Sequence, residues 1–299
     1  MMDSKTPILG FIGLGVMGGP MCRNAVTKHS ADLFAFDMNE AALEELRQAG
    51  AQVADSVAAL AAQADVIFLS LPGGNQVHEV CLGAGGIVSA AKSGTIIVDL
   101  STTSVADARA VGERLAEAGL FFADAPVART REAAQAGTLS IMVGANEELF
   151  GKIEPLLRYM GSDVTRCGET GCGQVVKLIN NTLLFEHVAA LAEMMVVAER
   201  AGVTAETLIN AVSKGSGDSF ALRNHGLKAM APRNFPERAF PSNYVLKDMG
   251  YCIELAESCG VDPKLPNLAA EYYREAVEQG IGNKYFPAII ELIGKGEKP

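Results

Sequence analysis

Phe11-Ile12-Gly13-Leu14-Gly15-Val16-Met17-Gly18 is the stretch whose reading decides the fold. Its glycines stand in a G-x-G-x-x-G spacing, directly after the apolar run Ile8–Ile12 and ahead of a helical segment reaching about Lys28. In that strand–turn–helix context the spacing has a mechanical meaning. Gly13 permits a tight turn, Gly15 lets the main chain approach a pyrophosphate, and Gly18 lets the helix pack close on the strand. Val16, Met17 and Gly18 open the helix, whose N-terminus offers N–H donors and the positive end of its dipole to a diphosphate. Asp37 follows Gly13 by 24 residues and ends the next apolar run, Asp32–Phe36. A carboxylate there accepts from both hydroxyls of an adenosine ribose and repels a 2′-phosphate, and no Arg directly follows to hold one. The expected cofactor is therefore NAD, with NADP less favoured. The competing reading is a plain glycine turn with Asp37 capping the helix that begins near Asn39.

Outward from this motif, short apolar runs alternate with helical stretches. Val66–Leu71, Thr95–Leu100, Leu120–Ala123 and Leu139–Val143 read as buried parallel strands, with Glu40–Gln48 and Ala106–Ala118 among the helices between them. Such alternation implies an α/β doubly wound sheet. From Gly173 to Ala201 the chain has almost no breakers and is apolar nearly all round. That predicts one long helix, of the kind buried in a large core or between subunits. Further helices are expected at Ala205–Val212, Leu246–Ser258, Leu268–Gln279 and Pro287–Ile293, with no strand after about residue 167. The boundary falls near Gly168–Gly171. The expected organisation is a Rossmann domain at 1–168 and an all-α domain at 169–299, suited to substrate binding and oligomerisation.

Composition narrows the function classes. The 299 residues are 49% hydrophobic and 20% charged, which excludes intrinsic disorder. The net charge of −10 argues against nucleic acid or an anionic membrane as partner, so any bound anion needs a local cluster of donors. The polar stretch Met1–Pro7 lacks the form of a signal peptide, and no breaker-free apolar stretch approaches the length of a membrane span. The six cysteines form no C-x-x-C pair, and the four histidines show no metal-ligand spacing. Free thiols in a cytoplasmic, metal-free protein are expected.

The chain resembles the β-hydroxyacid dehydrogenases, the 3-hydroxyisobutyrate dehydrogenase-like group. The opening motif matches, as do Leu71-Pro72, Asp99-Leu100-Ser101-Thr102, Asp124-Ala125-Pro126-Val127, Gly137-Thr138-Leu139, the run Gly171-Cys172-Gly173-Gln174-Val175-Val176-Lys177-Leu178-Ile179-Asn180-Asn181, and Lys247-Asp248. The resemblance implies reversible hydride transfer between NAD(P) and a small anionic β-hydroxyacid or its aldehyde. It implies a cofactor lined by Leu71, Pro72, Thr102 and Lys247, and an assembly into a homodimer or homotetramer.

Physical chemistry supports the catalytic part of this. Hydride transfer to a carbonyl develops charge on oxygen, so the site needs a proton donor there and a base for the reverse direction. Lys177 lies among Val175, Val176, Leu178 and Ile179, where a charged group is costly unless it has a partner or a task. Asn181 lies four residues on, on the same helix face, and Asn180 flanks it. Their amides suit the substrate's hydroxyl or carbonyl. The loop after Val127 departs from the family's Ser-Gly-Gly and reads Ala128-Arg129-Thr130. With Lys-Leu-Ile-Asn-Asn, this loop resembles the branch typified by sulfolactaldehyde reductase, in which the matching Arg grips a sulfonate. Arg129 and Thr130 are thus expected at the substrate's anion. Leu184, seven residues past Lys177, replaces that branch's Ser as a substrate-contact position. Other readings are a 3-hydroxyisobutyrate, tartronate semialdehyde or succinic semialdehyde/4-hydroxybutyrate enzyme, a catalytically silent NAD-binding protein, and an imine reductase, against which the retained Lys177 argues.

Overall fold

A computed structural model describes residues 6–237 and 239–294; residues 1–5, part of the N-terminal stretch read above, lie outside the described residues. The chain divides into two compact units, residues 1–177 and 178–299.

The first unit carries strands β1 (Leu9–Ile12), β2 (Leu33–Phe36), β3 (Gln52–Val53), β4 (Val66–Leu69), β5 (Ile96–Asp99), β6 (Phe121–Asp124), β7 (Val127–Ala128), β8 (Leu139–Gly144) and β9 (Gly161–Gly168). Between them lie helices α1 (Gly18–Lys28), α2 (Glu40–Gln48), α3 (Val57–Gln63), α4 (Gly74–Leu82), α5 (Val105–Glu117), α6 (Arg131–Ala136) and α7 (Glu147–Leu157). The sheet order is β3-β2-β1-β4-β5-β6-β8-β7, with β9 also paired to β8. Strands β1 to β6 pair in parallel with one another, the doubly wound order in which a dinucleotide site forms outside the carboxyl ends. The run Leu139–Val143, expected as one more parallel strand, instead forms β8, which pairs antiparallel to β6 and β7 and parallel only to β9.

Alternation along the strands builds two cores. Leu9, Phe11, Val66 and Phe68 face one layer, with Met21 and Cys22 of α1, Leu43 and Leu46 of α2, and Leu149 and Ile153 of α7. Ile12, Ile67 and Leu69 face the other, with Leu60 of α3, Val77 and Cys81 of α4, and Val111 and Leu115 of α5. Both faces are covered, which is why these strands read as continuous apolar runs. Burial pushes the thiols of Cys22 and Cys81 far above the usual range, whereas Cys259 is exposed.

Three strands had no sequence signal. β3 and β7 span two residues each, and β9 is polar with only Gly161 fully buried, so its sequence lacks the apolar run of a core strand and its main-chain pairing to β8 defines it.

Helix α8 (Cys172–Arg200) belongs to both units, its first turns to the sheet unit and the remainder to the second. The expected boundary at 168/169 lies nine residues before the division at 177/178, and the hydrogen bonds that tie Gly171 and Gln174 to Asp124 account for the difference. At 29 residues, with a mean hydropathy of 1.3 over its most apolar 18-residue window, α8 reaches the length and apolarity of a membrane-crossing helix by composition alone, a test that buried core helices also pass. Its Phe185, Val188, Ala192 and Met195 instead pack into the core of the second unit, and it carries Gln174, Lys177, Asn180 and Asn181.

The second unit adds α9 (Ala205–Val212), α10 (Ser242–Ser258) and α11 (Lys264–Glu278). Helices α10 and α11 start earlier than the periodicity implied, just after Pro241 and Pro263. Ala221–Met230 forms a π-type turn that the sequence reading left unassigned, and Phe286–Glu291 is a 3₁₀ segment where a helix over Pro287–Ile293 was expected. The core is aromatic: Phe185 meets Phe286 edge-on at 5.4 Å, and the Tyr273 hydroxyl donates to the Phe185 carbonyl at 2.9 Å.

Candidate active site

The β1–α1 turn has the geometry its glycines predicted. Gly13 takes φ +93° and its N–H donates to the Phe36 carbonyl at 3.0 Å. A Cβ on Gly13 would strike the Ser70 carbonyl, and one on Gly18 would strike the Gly13 carbonyl. Gly15 is different, since a Cβ there meets nothing within 4 Å. Its side of the turn opens outward, as the approach of a ligand requires. Val16 is exposed, and Met17 at the N-cap contributes no side-chain hydrogen bond. The first turn of α1 carries no acid, so its positive dipole end faces the turn with no side-chain carboxylate from α1 against it. Gly19 and Met21 N–H donate to the Gly15 and Met17 carbonyls, and Pro20 has no N–H.

Asp37 stands beside this turn. One carboxylate oxygen accepts from the Leu14 N–H at 2.5 Å and the other from the Asn39 N–H at 2.8 Å. Asn39 itself caps α2 through the Ala41 N–H, so Asp37 is not that cap. A carboxylate has about four acceptor positions, so two remain for ribose hydroxyls. These features fit a dinucleotide.

Two loops continue the cradle at the carboxyl ends of β4 and β5. Leu71 is half-buried and donates its N–H to Ser101 Oγ at 2.9 Å, and Pro72 is exposed. Ser101 N–H in turn donates to Asp99 Oδ1 at 3.0 Å. Thr102 is half-buried between the buried Ser101 and Thr103.

The first turn of α8 is fixed by a carboxylate that sequence reasoning quoted without giving it a role. Asp124, fully buried at the end of β6, accepts from Gly171 N–H at 2.6 Å and Gln174 N–H at 2.8 Å. Gly144 and Gly173 leave the room it fills, for a Cβ on either would crowd the carboxylate. Burial pushes its carboxyl up to about 6, against the pull of those N–H groups. The available signal was two glycines and an acid flanking a helix start. One turn beyond Gln174, Lys177 is buried, at 7% exposed.

Arg129 follows β7. It sits where the related loop has glycine, at φ +90°, a left-handed conformation that L side chains rarely adopt. Its guanidinium donates to the Thr138 carbonyl at 2.6 Å and Ser162 Oγ at 3.0 Å, and pairs with Asp163 at 2.8 Å. Ser162 and Arg129 hold the Asp163 carboxyl below its ordinary range. In this structure the guanidinium expected at the substrate's anion is paired with an acid of β9. Thr130 is half-buried at the start of α6 and makes no side-chain cap.

In the second unit, Asn181 is buried and its amide donates to Asp248 Oδ2 at 2.8 Å. Asp248 Oδ1 pairs with Lys247 Nζ at 3.3 Å, and Lys247 lies against the rings of Tyr244 and Tyr251. Asn180 is exposed and donates to Asn181 Oδ1 at 3.2 Å. Asp248, 2% exposed, is a second residue the sequence reading left without a role. Leu184 packs on the unit's core, half-buried. No cluster of three or more His, Cys, Asp or Glu suited to a metal exists among the described residues.

Comparison with known proteins agrees with this geometry. A family profile described as the NAD binding domain of 6-phosphogluconate dehydrogenase matches residues 8–168, and one described as NAD-binding of NADP-dependent 3-hydroxyisobutyrate dehydrogenase matches residues 171–293. The chain is 37% identical over 288 residues to 2-(hydroxymethyl)glutarate dehydrogenase of Eubacterium barkeri, covering 96% of this chain and 95% of that protein. It is 33% identical to mouse mitochondrial 3-hydroxyisobutyrate dehydrogenase, over 99% of this chain and 89% of that one. A solved structure of Mycobacterium tuberculosis 3-hydroxyisobutyrate dehydrogenase with L-serine superposes with a TM-score of 0.87 at 29% identity, covering 97% of this chain and all of that one.

Proposed function

The chain belongs to the 3-hydroxyisobutyrate dehydrogenase-like β-hydroxyacid dehydrogenases, and from that premise we propose that it interconverts a 2-substituted 3-hydroxypropanoate, HOCH₂–CH(R)–COO⁻, and its semialdehyde. The observation that carries this is Lys177, a nearly dry lysine on a helix that supplies amides one turn further on. NAD, held by the Gly13–Gly18 turn and Asp37, would supply the hydride acceptor and, when reduced, the hydride donor. In the oxidative direction Lys177 Nζ takes the hydroxyl proton as the adjoining carbon gives up hydride; in reverse it protonates the oxygen as charge develops there. Asn181 is the amide that holds the reacting oxygen, and its bond to Asp248 fixes which way it faces.

The substrate class rests on what the two relatives' names share. Both 3-hydroxyisobutyrate and 2-(hydroxymethyl)glutarate carry a primary alcohol β to a carboxylate, and they differ in R, a methyl against a second carboxylate arm. Arg129 is the candidate for that arm, provided the arm takes the place of Asp163. The prediction is selective: Arg129→Ala raises KM for 2-(hydroxymethyl)glutarate by about 10-fold or more and leaves 3-hydroxyisobutyrate almost unchanged. An equal change for both substrates removes Arg129 from the site. A second reading, a sulfonate substrate of the sulfolactaldehyde type, is favoured by the Ala128-Arg129-Thr130 loop. Assaying kcat/KM for both hydroxyacids and sulfolactaldehyde with one preparation decides between the two.

Asp37 supports a preference for NAD. Asp37→Ser is expected to weaken NADH binding by about 10- to 100-fold, the value of hydrogen bonds to a charged group, and to narrow the gap to NADPH. Fluorescence titration of both dinucleotides measures it, and an unaltered ratio would show that Asp37 does not set the preference.

A further inference from the structure

Gln174 is fully buried, in the first turn of the helix that carries Lys177. A buried primary amide must satisfy two donors and an acceptor or lose free energy. Gln174 spends its amide on one short piece of main chain. Nε2 donates to the Ser101 carbonyl at 2.8 Å, and Oε1 accepts from the Thr103 N–H at 3.2 Å. The two contacts bracket Thr102 and hold its flanking peptides at both ends. Ser101 Oγ also accepts from Leu71 N–H, so the loop after β4 hangs on the same support. On its own helix Gln174 is held through its N–H by Asp124. Lys177 is three residues further on, close to the same face.

We propose that Gln174 is a positioning residue that sets the β5–α5 loop, with Thr102 at its centre, at a fixed distance from the turn of α8 that presents Lys177. Hydride and proton transfer then refer to one rigid frame instead of two independently moving ones. The inference rests on the reading of Lys177 as proton donor. Gln174 touches neither substrate nor reacting atoms in this scheme; it acts through the loop and the helix it joins. Misplacing reacting groups by about 1 Å costs on the order of 100-fold in rate, and that is the effect available to such a brace.

Gln174→Met keeps the side-chain length and removes both hydrogen bonds. The expected result is a kcat lowered by about 30- to 100-fold with KM for the hydroxyacid little changed, in a protein still folded at the assay temperature by circular dichroism. NADH affinity, read from the fluorescence of the bound dinucleotide, falls about 5-fold in this variant and not in Lys177→Ala, a loss within the worth of a single hydrogen bond. The double variant Lys177→Ala/Gln174→Met is no slower than Lys177→Ala alone, because a brace has nothing left to position. A normal kcat, an unchanged NADH affinity, or losses that multiply in the double variant overturns the proposal. A near-normal kcat in Lys177→Ala alone has a separate meaning, since it removes the proton donor on which the inference rests. Should the Met variant unfold, Gln174→Glu carries the same tests, since it keeps the acceptor for Thr103 and lacks the donor for Ser101.

Discussion

Lys177→Ala is expected to lower kcat by about 10³-fold, within the range that general acid–base groups contribute, while NADH binding persists. The cradle formed by Gly13, Gly15, Gly18 and Asp37 lies in the β1–α1 turn, at the start of α1 and just past the end of β2, and does not depend on the lysine side chain. Lys177→Arg is expected to fail almost as badly, because a guanidinium stays charged and cannot shuttle a proton. Single-turnover measurement with NADH and a semialdehyde isolates the chemical step. A turnover close to that of the unaltered protein would remove Lys177 from the reaction, and with it the mechanism argued above.

The second large effect concerns Asp124. Asp124→Ala leaves the Gly171 and Gln174 N–H groups buried without their acceptor and opens the space that Gly144 and Gly173 enclose. The expected cost is about 2–4 kcal/mol, the combined loss of a helix cap and of satisfied buried donors. For a chain of this size that corresponds to a fall in Tm of roughly 3–6 °C. The pH dependence has a definite sign. Burial raises the folded-state carboxyl from 3.8 to about 6, so between those values the folded protein holds a proton that the unfolded chain has released. Stability from this group therefore grows as pH falls through that window, and is lost as pH rises through about 6. The margin of the unaltered protein over Asp124→Ala is thus wider at about pH 4.5 than at about pH 7.5. Thermal denaturation at both values measures it, and a margin that narrows on acidification would reverse the assignment.

The parallel sheet could be read from sequence because its strands are buried on both faces, and apolar runs such as Val66–Leu69 and Ile96–Val98 have no other use. The G-x-G-x-x-G turn was legible for a related reason: Gly13 and Gly18 occupy positions a Cβ cannot. Strand β9 was not, since its side chains are mostly solvated and only main-chain pairing makes it a strand. Lys177 stood out as a charge in an apolar run. Asp124 and Gln174 did not, because their importance lies in partners 47 to 73 residues away in the chain. The ion pair of Arg129 was hidden for the same reason: its charge suggested an anion, but Asp163 lies 34 positions downstream, and the pairing of β8 with β9 brings it near.

The cysteines on the two faces of the sheet have a practical use. Cys22 and Cys81 are sealed beneath different helical layers, and thiols so deep stay protonated and hence unreactive. Each becomes modifiable only when the layer above it lifts. Pulses of an alkylating reagent, quantified peptide by peptide in a mass spectrometer, would time the opening of either face separately, with the exposed Cys259 as an internal reference for reagent delivery.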